Sequence, residues 1–378
     1  MDPLSTTLTV LVGPTVPLPA PPLLVENIER VQVALTDNAR SGFQLVLAAG
    51  RSGPTGLVDF PLLAGQYLRP FHRVVLVLTL NGVPNVLVDG VVTHRELTPG
   101  TTPGTATYTV TGEDVSVMMD LEERIAEYPA QDESAIATRL ILGYARFGLV
   151  PRVIPPPVAD LPLPVERVPV QRGTDLAHLT TMARRFGYVF YVTPGPEPLV
   201  NTAYWGPPVR VGTPAPALSV GLGPASNVEQ ISFRSDALAV TEVYGEVQDR
   251  LTGSVIPVRS TGSLRLPLAA EPDWLVQSNV RRSLLGGGGA TAVQALAQAQ
   301  GTAEASNDSL TVTGRLDTQR YGGLLGARGL VGVRGAGWEH DGLYYVKRVT
   351  HSIARGRHTQ EFMLTREGVG STVAAVRP

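Results

Sequence analysis

The densest group of chemistry-bearing side chains in this chain is HSIARGRHTQEF, residues 351–362, with two histidines, two arginines and a glutamate. Histidines this close in sequence suit a metal site or a proton relay, because imidazole ligates metals and titrates near neutrality. The stretch reads as a β-hairpin. Arg355-Gly356 as a two-residue turn pairs Ile353 with His358, His351 with Gln360 and Val349 with Phe362. His351 and His358 then become diagonal neighbours on one face, about 7–8 Å apart at Cα. A metal there needs a third ligand, and Glu361 points to the opposite face. The competing reading is structural. In it His351 packs half-buried among Val349, Ile353 and Phe362, while Arg355 and Arg357 meet solvent or bridge subunits.

Other chemistry is sparse. The remaining histidines, His72, His94, His178 and His340, form no ligand-spaced cluster such as HExxH. There is no GxSxG elbow, and RSGPTG and RSTGS are serine-bearing turns. GARGLVGVRGAG is glycine-rich, but Lys347 is the only lysine, so it lacks a Walker lysine. Strands are expected on both sides of it, whereas a dinucleotide loop needs a strand before and a helix after. The acidic run with Glu113, Asp114, Asp120, Glu122, Glu123 and Glu127 reads as a strand-to-helix transition, where acids complement a helix N-terminus. No catalytic, cofactor-binding or metal-binding residue is assigned from these patterns.

The elements that would carry these residues are mostly strands. The 378 residues bound two or three domains. Forty glycines and 32 prolines punctuate short apolar alternating runs. Hydrophobic residues make up 43% but aromatics only 6%, so the cores are aliphatic. A net charge of -2 lacks the basic surplus that phosphate binding needs, which argues against a nucleic-acid partner. The absence of cysteine excludes disulfides and thiolate chemistry. No run is long and apolar enough for a membrane helix, and the acidic, proline-interrupted start does not read as a signal peptide.

The expected fold is mainly β with an α/β insert. A proline-rich extended arm covers 1–22. A first β-barrel domain over 23–117 contains IERVQVAL, GFQLVLAAG, RVVLVLTL and the Asn81-Gly82 turn. A mixed α/β region follows over 118–235. Its first helix carries Ile136, Leu140, Tyr144 and Phe147 and ends at Gly148; a second, capped by Thr174, carries Leu176, Leu179, Met182 and Phe186. A second β-barrel domain covers 236–370, with a glycine hinge at 286–290 and an alanine-rich helix after it. A tail at 371–378 ends the chain.

Four segments, in order, carry a resemblance. TVTGEDVSVMMDLEE, QRGTDLAHLTTMARRFGYVFYV, VTEVYGEVQDRLTG and the long C-terminal stretch ending GLYYVKRVTHSIARGRHTQEFMLTRE resemble baseplate hub proteins of contractile injection systems. That family includes the phage late control gene D proteins and the N-terminal half of VgrG spikes. The resemblance spans roughly residues 25–367. It implies a non-enzymatic homotrimer whose two barrels per subunit form a pseudo-sixfold ring. Such a ring joins the hexameric tail tube to a trimeric spike, with other baseplate proteins around it. It implies no cofactor, and assembly in the bacterial cytoplasm into a tail or injection particle. VgrG proteins continue into a spike; here the spike is expected to be a separate protein. On this reading Arg355, Arg357 and His358 belong to a subunit or partner interface. A hexameric tube-initiator or distal-tail ring protein and a tail-associated glycan-binding or hydrolytic β protein are the alternatives.

Overall fold

Alternation with period two drives most of the chain into strands, and a computed structural model shows how they pair. It describes residues 6–50, 60–102, 105–157, 164, 167–248, 253–260, 262–286 and 291–373. One thirteen-stranded sheet dominates. An N-terminal set of strands, Thr6–Gly13, Ile28–Thr36, Gly42–Ala48, Arg73–Leu80, Val83–Thr98 and Thr107–Asp114, pairs antiparallel throughout. A C-terminal set comprises Ala215–Ser219, Gln230–Ser235, Leu310–Asp317, Leu330–Arg334, Gly342–Ala354 and Arg357–Arg366. The two sets join where Ile28–Thr36 pairs with Gly342–Ala354, Val33 opposite His351 and Val31 opposite Ile353. Among the described residues the strand path is open, ending at Gln230–Ser235 on one side and Leu18–Pro19 on the other.

Inward residues alternate as the pattern requires. Val31 and Val33, then Phe43, Leu45 and Leu47, are buried with Leu76, Leu78 and Val110 in one aliphatic core. Arg73–Leu80 is apolar almost continuously because both of its faces are covered. Asn81 and Gly82 both have positive φ, the geometry of a tight hairpin turn, and Leu80 pairs with Val83 across it. The C-terminal set encloses its own core around Val312, Val333, Val346, Val349 and Phe362. Each fully buried Val or Leu contributes about 1.5–3 kcal/mol.

Between these sets lies a small α/β unit. Leu149–Val153, Asn201–Gly206 and Val189–Pro194 form a three-stranded sheet. Helices Glu133–Leu142 and Asp175–Arg185 cover it, packing Ile136, Leu140, Leu179 and Met182 around Trp205. Thr174 caps the second helix by accepting from Ala177 N–H. Another three-stranded sheet, Thr241–Gln248, Val255–Arg259 and Arg281–Leu284, packs on the alanine-rich helix Ala292–Ser306 through Val243, Val247, Val258, Ala295 and Ala299.

Several expectations need correction. The proline-rich start is not an extended arm from Thr6 onward. Thr6–Gly13 pairs residue for residue with Arg73–Leu80, because its own alternation puts Val10 and Val12 into the core. The acidic run opens only a short 3-10 helix, Val115–Met119, which Asp114 caps at the end of its strand; the later acids do not lead into an α-helix, and Glu123–Glu127 is a strand paired with Val170–Thr174. The first helix stops at Leu142. Gly143 ends it, and Tyr144 precedes and Phe147 ends a 3-10 turn that Gly148 closes in the left-handed region. The glycine hinge at 286–290 lies almost wholly outside the described residues, as do RSGPTG and positions 374–378 of the tail.

Candidate functional site

The hairpin at 342–366 has the register its sequence implies. Ile353 lies opposite His358, His351 opposite Gln360 and Val349 opposite Phe362, with Gly356 in the turn at φ 71°. Its burial is deeper than expected. His351 and His358 are 2% and 4% exposed, not half-buried, because strand Ile28–Thr36 of the other strand set covers the hairpin's second edge. The two rings stack at 5.4 Å, and one donates to the other between His351 Nδ1 and His358 Nε2 at 3.2 Å. Burial pushes both imidazoles down, His351 to about 3 and His358 to about 4. His358 adds to the effect on His351, while the Asp317 carboxylate opposes it at His358. Both rings are therefore neutral at neutral pH. Glu361 faces away and is exposed, as its register requires. Among the described residues no three His, Cys, Asp or Glu side chains converge as a metal-binding group.

Arg355, Arg357 and His358 share a cleft of about 360 Å³. Its walls are Leu8 and Val10 from the first strand, Ile28 and Val31 from the second, and Ile353 from the hairpin. Arg355 donates to the Glu26 carbonyl at 2.5 Å, so the hairpin tip is tied to the N-terminal strand set. Arg357 is exposed and lies 3.9 Å from Glu229. Thr318 Oγ1 donates to the His358 carbonyl at 3.1 Å. His358 Nδ1 is buried with no partner. The structure thus brings the three residues to one cleft, with apolar walls and a basic rim. A cleft of this kind can seat a side chain or loop from another protein.

Three buried charge networks connect the units, and sequence reasoning missed all of them. Arg328, 8% exposed, donates to the Thr36 carbonyl at 2.7 and 3.0 Å, to the Val192 carbonyl at 3.0 Å and to Ser41 Oγ at 2.7 Å. Its guanidinium also lies 4.1 Å over the Tyr191 ring. One side chain therefore holds both strand sets and the α/β unit. Arg73 grips Asp89 through two hydrogen bonds at 2.7 and 2.8 Å, and Asp89 also accepts from Leu199 N–H and Asn201 Nδ2. Arg210 bridges Asp308 and Glu367, and Glu367 accepts from the backbone of Leu268 and Ala269. Asp37, beside Lys347 and Tyr345, is raised by burial. No local pattern marks these residues, since the partners lie from 16 to nearly 300 positions away.

The sequence matches no protein-family profile and no curated protein. The fold, however, is similar to solved structures over nearly the whole chain. A tail protein from Neisseria meningitidis superposes with a TM-score of 0.63 at 14% identity, covering 97% of this chain and 98% of that one. The 43 kDa tail protein of prophage MuSo2 from Shewanella oneidensis gives 0.62 at 13% identity, covering 95% and 98%. An Escherichia coli component of the type VI secretion system, itself similar to the T4 tail proteins gp27 and gp5, gives 0.54 at 12% identity, covering 93% and 77%. This chain shares the fold of phage-tail and type VI secretion structural proteins.

Proposed function

We propose that the protein is a structural baseplate hub of a contractile phage tail or related injection system. Three copies form a pseudo-sixfold ring, each contributing two barrel-like units. The ring joins a hexameric tail tube to a separate trimeric spike. The observation that carries this reading is the likeness to tail proteins along the full chain, including both strand sets and the unit between them. The buried arginine networks agree with a mechanical part, because they brace the units of the chain against one another. The role is templating and force transmission rather than chemistry. Assembly would occur in the bacterial cytoplasm, with other baseplate proteins on the periphery.

Arg355, Arg357 and His358 would face a neighbouring subunit or the spike across the cleft. Light scattering and negative-stain imaging test the reading. A particle of about 120 kDa, three 40.1 kDa chains, with a sixfold outline supports it. A hexamer points instead to a tube-initiator ring. A chain that stays monomeric even when expressed with the neighbouring tail proteins refutes it.

A further inference from the structure

We propose that the open edge of strand Glu123–Glu127 docks an extended basic strand of a partner protein by main-chain pairing. The strand belongs to a two-stranded ribbon with Val170–Thr174, and no described strand lies on its other side. Directly opposed residues of an antiparallel pair alternate between exchanging both backbone hydrogen bonds and exchanging none. Tyr128 N–H donates to the Pro169 carbonyl at 2.9 Å, so these two stand in a hydrogen-bonded position. Counting back along the register, Ala126 with Gln171 and Arg124 with Gly173 are bonded pairs too. Glu123, Ile125 and Glu127 therefore turn their N–H and C=O groups to the open edge.

The edge is preformed. An open strand edge pairs with other chains unless proline, lysine or a covering element blocks it. No proline or lysine lies in Glu123–Glu127. Ile125 at its centre is 78% exposed, and Val170, its diagonal neighbour on the same face, is 42% exposed. Behind the ribbon, Asp175 accepts from Arg124 at 2.8 Å, from Tyr144 OH at 2.8 Å and from Gln171 Nε2 at 2.6 Å. Gln171 in turn accepts from Tyr128 OH. These bonds hold the strand extended against the α/β unit, so an incoming strand meets an ordered template.

Charge sets the partner's sign. Glu123 and Glu127 flank Ile125 on one face, are exposed, and form no ion pair among the described residues. Exposed Glu122 adds to them. Of the ribbon's cations, Arg124 is held by Asp175, and Arg172 stands opposite Ile125 on the strand away from the open edge. The edge therefore carries an acidic surplus. Like charges directly opposite destabilise a strand pair and opposite charges support it. Acids at these positions turn away an acidic strand and favour one with basic, apolar and basic residues at alternate positions. A second copy of this chain is a poorer occupant, because its edge strands Gln230–Ser235, Val255–Arg259 and Arg281–Leu284 lack that alternation.

The probe is a cyclised β-hairpin peptide whose outer strand reads arginine, threonine, valine, threonine, arginine, followed by fluorescence anisotropy against the full chain. The expected Kd is about 100 µM. At ten times that concentration, amide exchange of Glu123, Ile125 and Glu127 slows about tenfold. N-methylation of the probe's pairing edge, or glutamate in place of its arginines, weakens binding at least tenfold. Ile125→Pro does the same, since it removes a donor from the open edge and none from the ribbon; circular dichroism checks that the fold is kept. The double variant Glu123→Arg with Glu127→Arg binds the glutamate probe instead, an exchange of preference that a damaged fold cannot produce. Three results overturn the proposal: no binding at millimolar probe, equal binding of the N-methylated probe, or equal binding of the glutamate probe by the unaltered chain. An oligomer mass that falls on Ile125→Pro with the fold kept would assign the edge to a second copy and also overturns it.

Discussion

The buried histidine pair makes the stability of this protein depend on pH in a way that can be worked out from its geometry. His351 and His358 are neutral in the folded chain, with folded pKa values of about 3 and about 4 against an unfolded value of about 6.5. Below pH 6.5 the unfolded chain therefore binds more protons than the folded one, so stability falls as pH falls. The stabilisation is fully present above pH 6.5 and is lost progressively down to pH 3–4. At pH 5 the loss is about 2 kcal/mol per ring, about 4 kcal/mol for the pair. Protonation also breaks the Nδ1 to Nε2 hydrogen bond, since both nitrogens of each ring would then be donors. The charged groups nearby are Asp317, which opposes the loss at His358, and Arg355, Arg357 and Glu29 around the cleft. Other carboxylates titrate in the same range, so the quantity to measure is a difference. The double variant His351→Phe with His358→Phe keeps a stacked ring pair and removes the titration. Its unfolding free energy in denaturant is compared with wild type at pH 7, 6 and 5. The wild type should lose about 4 kcal/mol more than the variant between pH 7 and 5. Carbon-13 labelled histidine spectra should show the His351 and His358 rings still neutral at pH 5. Parallel losses in the two proteins, or these two rings titrating near 6.5, would refute the reasoning.

Arg328→Met should destabilise the chain by about 3–5 kcal/mol, because it leaves the Thr36 and Val192 carbonyls without their donor. Hydrogen exchange should rise together at 36–41 and 190–193. Asp89→Ala strands Arg73 and costs a similar amount, about 3–5 kcal/mol, read by chemical denaturation. Gly301→Val should force the Arg185–Gly187 turn away from its helix at a cost of about 1–3 kcal/mol, with faster proteolysis near Arg185. Arg355→Glu with Arg357→Glu should leave the fold and melting temperature nearly unchanged, since both side chains are exposed. Ring formation should be lost in light scattering; a ring that survives the reversal removes these residues from the interface.

Local features were legible before any coordinates. The hairpin register at 349–362 follows from one turn and strict alternation, and the observed pairs are those the pattern implies. The same holds for the Asn81-Gly82 turn and the Thr174 cap, where the deciding contacts lie within a few residues. The later acids of the run were misread because charge near a strand end is compatible with either a helix or a surface ribbon, and the pairing of Glu123–Glu127 with Val170–Thr174 comes from a segment far along the chain. Long-range pairing also carried Gly342–Ala354 onto Ile28–Thr36, joined the two strand sets in one sheet, and buried both histidines. Periodicity determines which face of a strand is apolar. It carries no information on which distant edge that strand will meet, because backbone hydrogen bonds are alike for every residue. The partners of Arg328, Asp89 and Arg210 were set by that same packing: each lost its water only when the folded chain closed around it, and the groups that satisfy it were placed by elements remote in sequence.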